Sequence, residues 1–161
     1  MLTLLFYPRW NIMSVKTPQN KQMKDSQSSV EVVEEELNKI QILIAESDNE
    51  LVSLFETYLY LLGIKPDIAS SGEKALDCFF DSKKKDRPYD AIILDTHLRN
   101  PSGLDVVKGI RNEKPDQKIV LVTTTPKEYL PAEYLVTAGI KDRDILTMPF
   151  RMTKLETALS N

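Results

Sequence analysis

The chain has 161 residues, 42% of them hydrophobic, and a formal net charge of −3 at pH 7, which suits one domain with some additional tail. Charges of both signs are interspersed, so neither a nucleic-acid surface nor a membrane surface is indicated. Its single cysteine, Cys78, excludes an internal disulfide and a thiolate metal cluster and favours a reducing compartment.

The N-terminus, "MLTLLFYPRWNIM", has no basic stretch before its apolar run, is interrupted by Pro8 and Arg9, and carries no small-residue cleavage site. It reads as an upstream extension, with translation starting at Met13 or Met23, or alternatively as a weak amphipathic anchor. Residues 14–29 are polar and predict a disordered linker. "VEVVEEEL" (30–37) predicts a short acidic helix. Residues 1–38 are thus expected to be a disordered extension and 39–161 the folded domain. No apolar run approaches the ~20 residues that span a bilayer.

From Ile40 the pattern becomes regular. "IQILIA" (40–45) predicts a short buried strand. A helix over 47–63 follows from the stripe Leu51, Leu54, Phe55, Tyr58, Leu59 and Leu62. Ser47 with Glu50 forms a capping-box pattern at its start, and Gly63 ends it. "IKPDIA" (64–69) predicts a second strand. Ser70 with Glu73 opens a helix through Ala75, Leu76 and Phe79, closed by the lysines at 83–85. Cys78 lies in that apolar pattern and reads as a buried, inert thiol. "AIILD" (91–95) is the third strand, and a helix over 104–111 follows it. "KIVLVT" (118–123) is the fourth strand. Residues 127–138 predict a helix that Pro131 shortens or kinks. "DILT" (144–147) and "TKLETAL" (153–159) complete the chain as a strand and a short helix.

Strand and helix therefore alternate, with crossovers of the length parallel pairing requires. Right-handed crossovers place helices on both faces of one sheet. Strands one, three and four end at Ala45–Glu46, Asp95 and Thr123, so Glu46, Asp48, Asp95 and Thr123 should converge at one edge. Open α/β sheets bind ligands at that edge. A loop-capping role for Asp95 alone does not explain the convergence.

"ILIAESD", "YDAIILDTHLRNPSGLDVVKGIR", "KIVLVTTT" and "AG…TMPF" together resemble a response-regulator receiver domain, the aspartate-phosphorylated module of two-component signalling. The resemblance covers residue 39 onward. It implies an α/β, flavodoxin-like, doubly wound five-stranded parallel sheet of order 2-1-3-4-5. It makes Asp95 the phosphoacceptor, attacking a phosphohistidine or small phosphodonor, and Thr123 the switch hydroxyl. Glu46, Asp95 and the backbone carbonyl of His97 take the positions that hold Mg2+, with Asp48 assisting through water. The His97 imidazole is not implicated. The implied partners are a sensor histidine kinase or phosphotransfer protein and a downstream protein that the sequence does not name. The implied location is the cytoplasm, with no enzyme activity beyond accepting the phosphoryl group.

Several positions depart from the family pattern. The acidic pair is Glu46-Ser47, so Mg2+ binding should be weak. Met148 stands where the family has a lysine that pairs with the phosphoryl group. The loop before Pro149 is longer than usual, which puts Ile145 at the switch-aromatic position. No output or DNA-binding domain follows in this sequence, so signalling by association is expected through Tyr129, Tyr134, Ile145 and the loop 141–144. The competing reading is a pseudo-receiver, a phosphorylation-independent protein-binding module. An aspartyl-nucleophile phosphatase lacks a general acid two residues after Asp95. A flavin-binding protein lacks a phosphate-cradling glycine loop at 46–49.

Overall fold

The computed structural model describes residues 40–161. The expectations for the N-terminal extension, its start codon, its linker and its acidic helix lie outside the described residues. Strands β1 (Ile42–Ala45), β2 (Asp67–Ala69), β3 (Ala91–Asp95), β4 (Ile119–Thr123) and β5 (Ile145–Thr147) alternate with five helices. These are α1 (Asn49–Leu61), α2 (Gly72–Lys84), α3 (Gly103–Glu113), α4 (Ala132–Thr137) and α5 (Met152–Ser160). All strand pairs are parallel, in the order β2-β1-β3-β4-β5. This is the expected doubly wound flavodoxin-like sheet.

The central strands read as unbroken apolar runs because both of their faces are covered. Leu43, Ala45, Ile92, Leu94, Ile119 and Leu121 pack on one side with Phe79, Val107 and Ile110. Ile42, Ile44, Ile93, Val120 and Val122 pack on the other with Phe55, Leu59 and Leu155. Helices α2, α3 and α4 thus cover the first face, and α1 and α5 the second. The edge strand β2 is only three residues long and leaves Ile68 exposed.

The helix caps differ from the sequence expectation by one residue each. Asp48, not Ser47, caps α1, its Oδ1 accepting the Glu50 and Leu51 N–H groups at 2.8 and 3.1 Å. Glu46 Oε1 binds the N–H groups of both Ser47 and Asp48, and of the two only the Asp48 side chain reaches the free N–H groups of the first turn. Ser71, not Ser70, caps α2 by accepting from Lys74 N–H. The following N–H groups of Gly72 and Glu73 are bound by the Arg99 and Asn100 carbonyls, fixing where that helix begins. Gly63 does end α1, with φ of 75°. Within the α1 stripe Leu54 is exposed, because Phe55 and Leu59 set the buried centre of that face. Cys78 is half-buried rather than buried, and burial followed by nearby Asp67 pushes its thiol up from the ordinary value.

The segment 127–138 is not one helix. A 3-10 turn over Lys127–Tyr129 is followed by Pro131 at the N-cap of the six-residue α4. Pro131 has no N–H to continue the first turn, so the helix restarts beyond it. The long loop before β5 contains a second 3-10 turn, Asp142–Asp144. Asp144 is buried there and pairs with Lys118 Nζ at 2.6 Å, tying the inserted turn to the start of β4.

Candidate functional site

Three strands deliver the site. β1 runs into Glu46, β3 ends on Asp95, and β4 ends on Thr123, and parallel pairing aligns these ends at one edge. Asp95 pairs in register with Val122, and the next residue, Thr96, donates its N–H to the Val122 carbonyl at 3.0 Å. The phosphoacceptor candidate is therefore held by the centre of the sheet. Its side chain is 13% exposed, reachable but mostly enclosed.

Glu46 is only 3% exposed. Its Oε1 accepts the N–H groups of Ser47 and Asp48 at 2.8 and 2.9 Å. Burial pushes its carboxyl above the ordinary value, and the Asp95 and Asp48 charges add to this, against the two backbone bonds that lower it. A buried carboxylate repelled by a second carboxylate is a place where added positive charge would be favourable. Asp48 is exposed and uses Oδ1 to cap α1. Ser47 is exposed and carries no carboxylate. Among the described residues no group of three or more His, Cys, Asp or Glu side chains is gathered as a metal site. The carboxylates that the structure brings near one another are thus Glu46 and Asp95, with Asp48 beside Glu46. That is a thin set, but hard oxygen donors are the kind Mg2+ takes, with waters completing its shell.

The imidazole of His97, which the resemblance does not implicate, is exposed and stands beside Asp95. His97 N–H donates to Asp95 Oδ1 at 3.0 Å, and Nδ1 lies 3.3 Å from the same oxygen. Nε2 lies 3.1 Å from the Thr125 hydroxyl. The turn after β3 brings one ring nitrogen beside the carboxylate while half of the side chain stays exposed to solvent.

Thr123 is fully buried, and its Oγ1 accepts from the Thr96 hydroxyl at 2.8 Å and from Thr125 N–H at 3.0 Å. Thr96 and Thr125 are the two site residues that sequence reasoning missed. Threonine at a strand end is ordinary β-branched filling, so "DTH" and "TTT" gave no warning. Met148 is half-buried and packs against the apolar cluster under α1 and α5, while its N–H donates to the Thr123 carbonyl. A thioether there offers no charge to an anion.

The expected association face is only partly a surface. Tyr129 is 80% exposed, and Lys141, Asp142 and Arg143 are exposed. Ile145 is buried at the start of β5, and the Tyr134 hydroxyl is bound to the Leu104 carbonyl of α3. Those two residues therefore serve packing rather than contact.

A family model described as the response regulator receiver domain matches residues 42–160. The sensory transduction protein LytT of Oceanobacillus iheyensis is 33% identical over 128 residues, covering 76% of this chain and 47% of that protein. The response regulator SaeR of Staphylococcus aureus is 24% identical over 120 residues, covering 74% of this chain and 49% of that protein. The chain thus spans about half the length of these curated relatives. The response regulator TrrA of Thermotoga maritima, solved in complex with Mg2+ and BeF, matches with a TM-score of 0.62 at 29% identity. That match covers 73% of this chain and 94% of the solved one.

Proposed function

The chain belongs to the response-regulator receiver family, and from that premise we propose that it accepts a phosphoryl group on Asp95 in a two-component phosphorelay. The observation that carries this reading is the meeting of Asp95, buried Glu46 and the buried Thr123 hydroxyl at the ends of three adjacent strands. In the proposed step an Asp95 carboxylate oxygen attacks phosphorus and forms a P–O bond. The P–N bond to a donor histidine, or the P–O bond to a small acyl phosphate, breaks, and the leaving group departs with the electron pair. Asp95 becomes an acyl phosphate.

Glu46, Asp95 and the His97 carbonyl are the groups that would hold Mg2+, which when bound neutralises phosphoryl charge. The chain's own residues do the rest. β3 fixes the attacking carboxylate, and Thr123 donates its hydroxyl to a phosphoryl oxygen. The imidazole of His97 has to move off Asp95 for the donor to enter. Met148 supplies no ion pair. A hydrogen bond to a charged group contributes about 1.5–3 kcal/mol, whereas a near-complete two-state shift needs about 5.5 kcal/mol of differential binding. Thr123 alone therefore drives a partial switch.

The proposed donors are a sensor histidine kinase or phosphotransfer protein, and the proposed setting is the cytoplasm. Among the described residues no helix is long and apolar enough to cross a membrane. The state is passed on by protein association through the exposed part of the α4–β5 face, Tyr129, Lys141 and Arg143. No catalysis beyond self-phosphorylation is proposed.

The test is incubation with Mg2+ and acetyl phosphate followed by intact mass. One phosphoryl adduct is expected, absent from Asp95→Asn. A second reading, a constitutive protein-binding module, is favoured by Met148 and by the His97 bonds that already occupy Asp95 Oδ1. No adduct would support that reading. Steady phosphate release without an adduct would point to a phosphatase.

A further inference from the structure

We propose that Thr96 is a positioning residue that locks the Thr123 hydroxyl in its resting orientation. This rests on Asp95 being the phosphoacceptor and names the residue that resists the switch. A threonine hydroxyl oxygen has two acceptor lone pairs, and both of those on Thr123 are taken, by the Thr96 hydroxyl at 2.8 Å and Thr125 N–H at 3.0 Å. The Thr125 bond comes from two residues along the same chain segment, so it can move with the loop. The Thr96 bond is different, because it crosses from β3 to β4.

Thr96 is also poorly free to follow Thr123. Its N–H is bound to the Val122 carbonyl at 3.0 Å, and its Oγ1 lies 3.3 Å from His97 Nδ1. The residue next to the phosphoacceptor thus holds the switch hydroxyl from a fixed backbone position. For Thr123 to reach a phosphoryl oxygen on Asp95 it must turn away from Thr96. With Met148 supplying no charge to draw the phosphoryl group into place, this single neutral bond carries much of the resting bias.

Thr96→Val keeps the side-chain shape and removes the hydroxyl, and Thr96→Ser keeps the hydroxyl. The first measurement is methyl NMR of Thr123 in the unmodified protein. One χ1 rotamer is expected in wild type and Thr96→Ser, and exchange between two in Thr96→Val. The second is titration with beryllofluoride and Mg2+, where half-saturation of Thr96→Val should fall by about three- to tenfold, as loss of one neutral hydrogen bond implies. Unchanged Thr123 rotamers and unchanged half-saturation in Thr96→Val would overturn the proposal, as would an equal shift in Thr96→Ser. If beryllofluoride binds no variant, the phosphoacceptor reading fails, and the rotamer measurement still decides the role of Thr96. Should Thr96→Val not fold, Thr96→Ala is carried through both measurements.

Discussion

Gly103 sets the position of Asp95, and replacing it should show this quantitatively. A Cβ added at Gly103 would stand 2.1 Å from the Asp95 carbonyl oxygen and 2.9 Å from Thr96 Cα. An unstrained carbon–oxygen contact is about 3.3 Å, so Gly103→Ala must open the gap by roughly 1 Å. Neither side yields easily. Asp95 lies on the central strand β3, and Gly103 is the first residue of α3, whose N-cap Ser102 bonds Asp105 through both its N–H and its carboxylate. Such overpacking costs about 1–3 kcal/mol, a Tm fall of roughly 5–15 °C for a domain of this size. A displacement of about 1 Å at the reacting group costs on the order of 10²-fold in rate. Gly109→Ala is the control on the same helix, because its Cβ would meet only the mobile end of Leu76, at 3.0 Å. That change should be neutral or gain up to ~1 kcal/mol of helix propensity. Thermal melts and the rate of adduct formation with acetyl phosphate are the two assays. A Gly103→Ala protein with wild-type Tm and wild-type rate would refute the reasoning.

Restoring the family groups with Ser47→Asp and Met148→Lys together should speed phosphorylation and lower the Mg2+ it requires. A double variant that folds but stays inert would favour the constitutive binding module. Glu46→Gln keeps an acceptor for the Ser47 and Asp48 N–H groups and removes a charge whose folded-state pKa is raised by burial. A raised pKa means that stability is fully present below the ordinary value of 4.5 and is lost as pH rises through the folded value. Glu46→Gln should therefore melt higher than wild type at pH 7, with the gap closing as pH falls below about 4.5, and should lose Mg2+ dependence; equal Tm at pH 7 would count against the buried charge. Lys141→Glu with Arg143→Glu should leave Tm unchanged, since both side chains are exposed, and should abolish retention of partners by the immobilised protein; full retention would place the contact elsewhere.

The sheet was legible because its signal is redundant. Five short strands between helices allow few topologies, and a run such as "AIILD" is the pattern of strands inside parallel sheets, which are covered on both faces. The ends of those strands were legible for the same reason, so Glu46, Asp95 and Thr123 were found together. The helix caps were not, because Ser47, Asp48, Ser70 and Ser71 are all competent caps. The choice between neighbours was made by distant backbone, such as the Arg99 and Asn100 carbonyls that reach α2. The imidazole of His97 failed to be read for a similar reason. Its place depends on the fold of the turn and on Thr125, 28 residues away, which no local pattern records.

The two departures at the site are better understood as one. The family pattern sets two acids and the phosphoacceptor against one lysine, and the resemblance puts Ser47 at the place of one acid and Met148 at the place of the lysine. Counted over those positions the formal charge is unchanged, and buried Glu46 is repelled by Asp95 and, less, by Asp48. A lone Ser47→Asp would bring a third carboxylate toward a Glu46 that already resists ionisation. A lone Met148→Lys would place an ammonium against the apolar cluster that Met148 now packs on. Each single change carries a cost that the other offsets, so their effects should be strongly non-additive. Thr123 is held by two neutral hydrogen bonds, from the Thr96 hydroxyl and the Thr125 N–H.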